Sequence, residues 1–195
     1  AVLGLGNIGP AAALPVMEGK AAIFADFAGV NAIPICLATQ DPAKIIETVK
    51  NIAPAFGGIN LEDIAAPACF EVLKALEEEL KIPVFHDDQD GTAIVVLAGL
   101  INALKLSDRD KSAKIVISGA GAAGIAIARL LESYGMSNYC LCDSHGTISE
   151  CRRDLTKEKS AALEKSQASC PCASCTDSLL GADVLIGVSK PNQFT

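Results

Sequence analysis

Apolar positions recur with a helical period in two stretches of the first half of the chain. Asp41-Pro42 supplies a cap acceptor and a first-turn proline, after which Ile45, Ile46, Val49 and Ile52 fall on one face until Pro54, and the spacing predicts a helix over 41–53. Between Pro67 and Lys81, Phe70, Leu73, Leu76 and Leu80 share a stripe with Glu and Lys residues opposite, which predicts a second amphipathic helix. Ile82 to Phe85 reads as a buried strand. Thr92 to Leu106 is apolar nearly all round, the pattern of a helix packed on most sides, and is placed at the centre of the molecule. The charged stretch Ser107 to Ser112 then marks a domain boundary, giving regions 1–106 and 107–195. No topology follows for the first region from its mixture of helices and short strands.

Beyond the boundary the pattern alternates. Lys114 to Ser118 reads as a strand, Ala122 to Tyr134 as a helix, Asn138 to Asp143 as a strand, about Glu150 to Lys165 as a helix and Asp183 to Val188 as a strand. Strands separated by crossover helices imply an α/β fold with a parallel sheet. Lys165 to Asp177, rich in Ser and Cys, is expected to be a loop.

The turn between the first strand and helix of this region is Gly119-Ala120-Gly121-Ala122-Ala123-Gly124, a GxGxxG sequence. Asp143 stands nineteen residues past its last glycine, at a strand end. The first glycine suits a tight turn, the second a close approach of backbone to a pyrophosphate, and the third the packing of helix on strand. The helix N-terminus offers N–H donors to phosphate, and the acid can accept from a ribose hydroxyl. The candidate dinucleotide residues are therefore Gly119, Gly121, Ala122, Ala123, Gly124 and Asp143. Asp143 would repel a 2′-phosphate, whereas His145, Arg152 and Arg153 nearby could bind one, so NAD and NADP both stay open. Gly4-Leu5-Gly6-Asn7-Ile8-Gly9 fits the same regular expression, but Pro10 follows it and no strand-end acid is suitably placed, so it is read as a pocket-shaping loop.

Composition narrows the class. With 195 residues, 50% apolar and 20% charged, the chain is globular rather than disordered or collagenous. Sixteen Lys and Arg against twenty-three Asp and Glu give a net charge of −7, which argues against a nucleic-acid partner. The longest apolar run, Ala93 to Ile101, is shorter than the roughly 18 residues of a membrane helix, and no signal-peptide pattern opens the sequence. The expectation is a cytoplasmic protein without a membrane partner, an organelle being the other possibility. The chain begins inside one apolar segment without Met and stops shortly after another, so it reads as an excerpt. An aliphatic core without a secretory signal favours free thiols for the eight cysteines, with Cys36, Cys69, Cys140, Cys142 and Cys151 as small core residues.

Two acidic pairs close apolar segments, Glu62-Asp63 in GGINLEDI and Asp87-Asp88 in PVFHDDQDGTA. Adjacent carboxylates beside buried chain are costly unless a cation offsets them, and several carboxylates suit Mg²⁺ or Mn²⁺ better than zinc. Solvated acidic loop tips explain the same pattern equally well. Lys20 is a lone cation in a long apolar segment; a desolvated lysine can act as a general base, and the plainer reading is a snorkelling surface side chain. His86 is read as a hydrogen-bonded structural residue in preference to a metal ligand.

The segments GLGNIGP…LPVMEGKA, FAGVNAIPICL, FGGINLEDI, PVFHDDQDGTA, GAGAAGIAIARLL and GADVLIGVSKP, in this order, resemble the malic enzymes of the bacterial type over nearly the whole chain. The resemblance implies a partial N-terminal malic-enzyme domain followed by a partial Rossmann-like dinucleotide-binding domain. It also implies oxidative decarboxylation of L-malate to pyruvate and CO₂ with a divalent metal and NAD(P), in a homo-oligomer. Matched by motif, the base falls on Lys20, the metal carboxylates on Glu62, Asp63 and Asp88, and a supporting catalytic acid on Asp87. The family's proton-donating Tyr lies upstream of the segment where the chain begins, and neither Tyr134 nor Tyr139 matches it. Asp90 stands where FHDDQHGT has His, and Ala25 where the family often has a basic residue.

Three rivals accompany this reading. Cys151, Cys170, Cys172 and Cys175 could form a structural zinc site, which paired CxxC knuckles would support better. The chain could be a catalytically silent relative that binds nucleotide, or a plain 2-hydroxy acid dehydrogenase, for which the clustered carboxylates are unnecessary.

Overall fold

The computed structural model describes residues 5–190. Ala1 to Gly4, including the start of the first glycine-rich motif, and Pro191, which ends the last family-like motif, lie outside the described residues. The chain divides into two compact units between Phe85 and His86. The sequence places the boundary at 106/107. The difference arises because the helix at 92–106 packs against the helix at 122–133 and so belongs with the second unit.

In the first unit, helix α1 (Pro10–Ala28) has Pro near its start and Gly29 in the left-handed conformation after its end. None of its residues is buried, and its apolar side chains are not confined to one stripe, so periodicity does not predict it. Helix α2 (Pro42–Ile52) begins at Asp41, whose carboxylate accepts from the Ala43 N–H at 3.0 Å, and it buries Ile45 and Val49. Strand β1 (Ile59–Leu61) pairs with β2 (Val84–His86). Helix α3 (Ala68–Glu79) buries Cys69, Val72, Leu73 and Leu76. Ile45 and Val49 meet Leu61, Val72, Leu73 and Leu76 in one core cluster.

The second unit opens with a π-helical turn over Asp87–Gly91 that runs into α4 (Thr92–Leu106). Only Ala93, Leu100 and Leu104 of α4 are buried, while Ile94, Val95 and Leu106 are exposed. The helix thus packs by one stripe and is not enclosed on most sides as its composition suggests. Turn and helix together, Asp87–Leu106, are long and apolar enough to cross a membrane by length and composition alone. Three acids lie at one end of this segment, and its buried stripe packs against the helix at 122–133.

Strand β3 (Ile115–Ser118), helix α5 (Ala122–Ser133), strand β4 (Tyr139–Asp143), the short strand β5 (Gly146–Thr147), helix α6 (Lys157–Lys165), the single-turn helix α7 (Cys175–Ser178) and strand β6 (Val184–Gly187) follow. The sheet order is β5-β4-β3-β6. β3 is parallel to both β4 and β6, with Val116 opposite Cys140 and Leu185, and β5 returns antiparallel to β4. All of β3 and the first four residues of β4 are buried. Helix α6 starts at Lys157, not near 150, because Thr156 is its cap and accepts from the Lys159 N–H. Within the expected loop, Ser174 and Asp177 form a capping box that starts α7. The expectation of free thiols is corrected at one pair: Cys151 forms a disulfide with Cys172. Cys69, Cys140 and Cys142 are buried free thiols, and Cys36 is half-buried.

Candidate active site

Each unit carries its own group of candidate side chains. In the first, Lys20 lies midway along α1, and its Nζ is 3.2 Å from Glu62 Oε1. The Lys20 side chain is 29% exposed and that of Glu62 14%, so the pair is largely withdrawn from water. Asn60 Nδ2 donates to the other oxygen, Glu62 Oε2, at 3.0 Å, which fixes the carboxylate from a second side. The next residue, Asp63, adopts a left-handed backbone with φ of 56°. That conformation costs a non-glycine residue, though Asp tolerates it better than most. Lys20, Asn60, Glu62 and Asp63 line one cleft of about 1180 Å³ whose walls are otherwise mainly apolar. A solvated snorkelling role for Lys20 does not describe this placement.

In the second unit, Asp87, Asp88 and Asp90 occupy the π-helical turn ahead of α4. Asp90 accepts from the His86 backbone N–H at 3.2 Å. His86 is fully buried, and among the described residues neither ring nitrogen has a hydrogen-bond partner, so the expected ring hydrogen bond is not found there. Burial lowers its pKa against the opposing pull of Asp88, Asp90 and Asp87. Among the described residues no three His, Cys, Asp or Glu side chains are gathered to hold a metal ion, and this covers the Cys151, Cys170, Cys172 and Cys175 set as well.

The glycine-rich turn joins β3 to α5. Gly119 has φ of +121°, and a Cβ there would lie 2.7 Å from the Val188 carbonyl oxygen. A Cβ at Gly124 would lie 1.7 Å from the Gly119 carbonyl oxygen, so only glycine lets the first turn of α5 close onto the strand turn. Gly121 differs: a Cβ there meets nothing within 4 Å, so the space over it is open. Among the described residues helix α5 has no side-chain cap at Gly121, so its first-turn amides, including those of Ala122 and Ala123, meet no capping side chain.

Asp143 ends β4 and is heavily bonded. Arg152 Nη1 and Nη2 donate to Oδ1 and Oδ2 at 3.0 and 3.2 Å, Lys159 Nζ donates to Oδ2 at 2.5 Å, and the His145 N–H donates to Oδ1 at 2.8 Å. Burial works to raise the Asp143 pKa, but the Arg152 and Lys159 hydrogen bonds outweigh it and hold the carboxyl at about 2. Lys159 and Asn60 are contributors that the sequence reading missed. Asn60 lies in β1 two positions before Glu62, which directly follows the strand, and that nearness in sequence was the signal present. Lys159 reaches Asp143 through the packing of α6, which no local spacing encodes. Tyr139 is buried; its hydroxyl donates to the Ala162 carbonyl at 2.8 Å, and burial pushes its pKa up to about 12. It is a structural group, not an acid.

Two sequence profiles match the chain: the malic enzyme N-terminal domain at residues 1–44 and 39–77, and the malic enzyme NAD binding domain at residues 89–194. The chain is 57% identical to the NAD-dependent malic enzyme of Geobacillus stearothermophilus, over 98% of this chain and 40% of that protein. It is 55% identical to the bifunctional malic/malolactic enzyme of Bacillus subtilis strain 168, over 100% of this chain and 48% of that one. The crystal structure of the NAD-dependent malic enzyme from Thermotoga maritima superposes with a TM-score of 0.95 at 47% identity, covering 100% of this chain and 52% of its own. The chain therefore spans about half the length of these relatives. Profiles over most of its residues and identities above one half lead to one conclusion: this chain belongs to the malic enzyme family.

Proposed function

We propose that the chain carries the metal-dependent oxidative decarboxylation of L-malate to pyruvate and CO₂ with reduction of NAD(P)⁺. The observation that carries this reading is the largely withdrawn Lys20–Glu62 pair at 3.2 Å in a large cleft shared with Asp63. By the family resemblance the carboxylates that would hold Mg²⁺ or Mn²⁺ are Glu62, Asp63 and Asp88, residue types that suit a hard divalent cation, and no three of the His, Cys, Asp or Glu side chains among the described residues are gathered into such a site. Gly119, Gly121, Ala122, Ala123, Gly124 and Asp143 would hold the dinucleotide, and the open space over Gly121 beside uncapped helix amides fits a pyrophosphate. When bound, the dinucleotide accepts the hydride and the cation stabilises the negative charge that develops as CO₂ departs.

Within this frame Lys20 Nζ receives the malate hydroxyl proton. Glu62 steadies the Lys20 amine and pairs with the ammonium that forms when it takes the proton, and Asn60 holds Glu62. Asp87, beside the buried His86, supports the acidic turn. Tyr139 is excluded as donor of the final proton by its bond to Ala162. Arg152 and Lys159 neutralise Asp143 and place two cations where a 2′-phosphate would lie, so both NAD and NADP stay within the proposal. A cytoplasmic homo-oligomer belongs to the same reading.

The test is NAD(P)⁺ reduction with L-malate and Mn²⁺, comparing the chain with Lys20→Ala and with an EDTA control. Malate-dependent reduction that disappears in both controls supports the proposal. Dinucleotide binding without turnover marks the chain as catalytically silent, and binding of neither dinucleotide nor Mn²⁺ removes the site assignment.

A further inference from the structure

Six of the eight cysteines lie in the second unit, and there they meet in three pairs. Cys151 and Cys172 are joined, with Cα atoms 6.0 Å apart. Cys140 and Cys142 occupy alternate positions of β4 and so face the same side of the sheet. The backbone sets their partners alongside: Cys170 Sγ reaches the Tyr139 carbonyl next to Cys140, and Thr147, in register with Cys142, donates its hydroxyl to the Ser174 carbonyl at 3.2 Å next to Cys175, in keeping with electrostatic pairing of Cys140 with Cys170 and of Cys142 with Cys175. All three partners come from the segment Cys170-Pro-Cys172-Ala-Ser-Cys175.

Backbone contacts set this segment against the β4–β5 hairpin. Cys170 Sγ lies 3.6 Å from the Tyr139 carbonyl oxygen, and the Thr147 N–H donates to the Ala173 carbonyl at 3.0 Å. Gly146 makes the approach possible, since a Cβ there would stand 2.7 Å from the Ala173 oxygen. The pairing is thus a feature of the fold, with two thiol pairs flanking an existing disulfide.

We propose that Cys140–Cys170 and Cys142–Cys175 are dithiol modification sites that react with low-molecular-weight disulfides, so that oxidation turns the 170–175 segment into a three-disulfide clasp on β4. Half-buried Cys170 is the attacking group and fully buried Cys140 the resolving one. The hydrogen bond from Cys140 lowers the Cys170 pKa against burial, with Ser166 and Lys114 acting in the same direction. The Cys170 thiolate attacks one sulfur of the small disulfide RSSR, forming a mixed disulfide and releasing RS⁻, which takes up the proton lost by Cys170. The Cys140 sulfur then attacks Cys170 Sγ; the Cys170–SR bond breaks, and the second RS⁻ leaves with the Cys140 proton. Protein dithiol plus RSSR gives protein disulfide plus two RSH, with two electrons passed to the small disulfide. Cys142 and Cys175 react in the same way.

Cys142 immediately precedes Asp143, so the clasp fixes the strand end at which the proposed ribose site lies. This coupling rests on the dinucleotide reading above. Oxidation pre-orders that strand end, and the oxidised chain is expected to bind NAD⁺ about five-fold more tightly than the reduced one.

The experiment treats the whole chain with dithiothreitol or with glutathione disulfide, alkylates it under denaturing conditions, maps the linkages by mass spectrometry and titrates NAD⁺ into both forms. The reduced chain is expected to show eight alkylated cysteines. The oxidised chain is expected to show alkylation at Cys36 and Cys69 alone, with links 151–172, 140–170 and 142–175. Cys170→Ser is expected to free Cys140 while the 142–175 link still forms, which separates pairing from misfolding. Alkylatable Cys140 and Cys142 after glutathione disulfide, a 170–175 link, or zinc bound by the reduced thiols would overturn the proposal. The expected linkages with unchanged NAD⁺ affinity would overturn the coupling to Asp143. Failure of both forms to bind NAD⁺ would overturn the dinucleotide reading while the pairing stands.

Discussion

The two units solve different problems. In the second, β3 and most of β4 are buried, α5 buries six residues, and the functional positions are backbone positions on a glycine turn. In the first, α1 buries nothing, and its functional side chains stand around a large cleft. A backbone site is fixed once strand and helix pack. A side-chain site requires each group to be held by a neighbour, as Asn60 holds Glu62 and Glu62 holds Lys20. The first unit is therefore expected to lose chemistry without losing its fold, and the second to lose both together where a glycine closes the packing, as at Gly124.

Lys20→Ala should have the largest effect, lowering malate-dependent turnover by about 10²–10⁴-fold. Circular dichroism should stay unchanged, because Lys20 is part of a helix with no buried residue. A collapse of structure in this variant would erase the contrast between the units. Leu76→Ala attacks the first unit's small core and should destabilise it by about 2–5 kcal/mol in denaturant titration. Gly124→Ala should cost about 3 kcal/mol by overpacking and abolish dinucleotide binding as well, since its Cβ would clash with the Gly119 carbonyl. Gly121→Ala sharpens the comparison: the fold has room for the methyl, so melting should be unchanged while dinucleotide affinity falls.

The smallest effect is on pH. Asp143 is held at about 2, below its ordinary value of 3.8, by Arg152 and Lys159 acting against burial. A depressed carboxyl contributes stability that is present above the unfolded value and is lost as pH falls through the folded one. Acid unfolding of the second unit should therefore steepen between about pH 4 and pH 2, and Asp143→Asn should flatten that limb. An unaltered acid limb would show that the Arg152–Lys159 clamp adds nothing to stability.

Legibility in the sequence followed the same division. Alternating periods exposed β3, α5, β4 and β6 because buried strands and an amphipathic crossover helix write themselves locally. Helices α2 and α3 were legible for the same reason. Helix α1 was not, since its apolar residues cover no single face, and α4 was misplaced because apolar content says nothing about how many neighbours a helix has. The start of α6 was set by Thr156, a cap that fixes a boundary more sharply than the apolar pattern upstream of it. Within the site, Glu62, Asp63 and Asp143 stood out as acids closing apolar segments. Lys159 and the Cys140–Cys170 and Cys142–Cys175 pairs did not, because only the packing of α6 and of the 170–175 segment brings them to β4.

The central claim is that oxidation and decarboxylation occur together on this scaffold. It is tested most directly by measuring reduced dinucleotide and pyruvate in the same reaction with L-malate and Mn²⁺. Equal molar amounts of the two products are the predicted result. Dinucleotide reduction without pyruvate would contradict the account and identify a plain 2-hydroxy acid dehydrogenase.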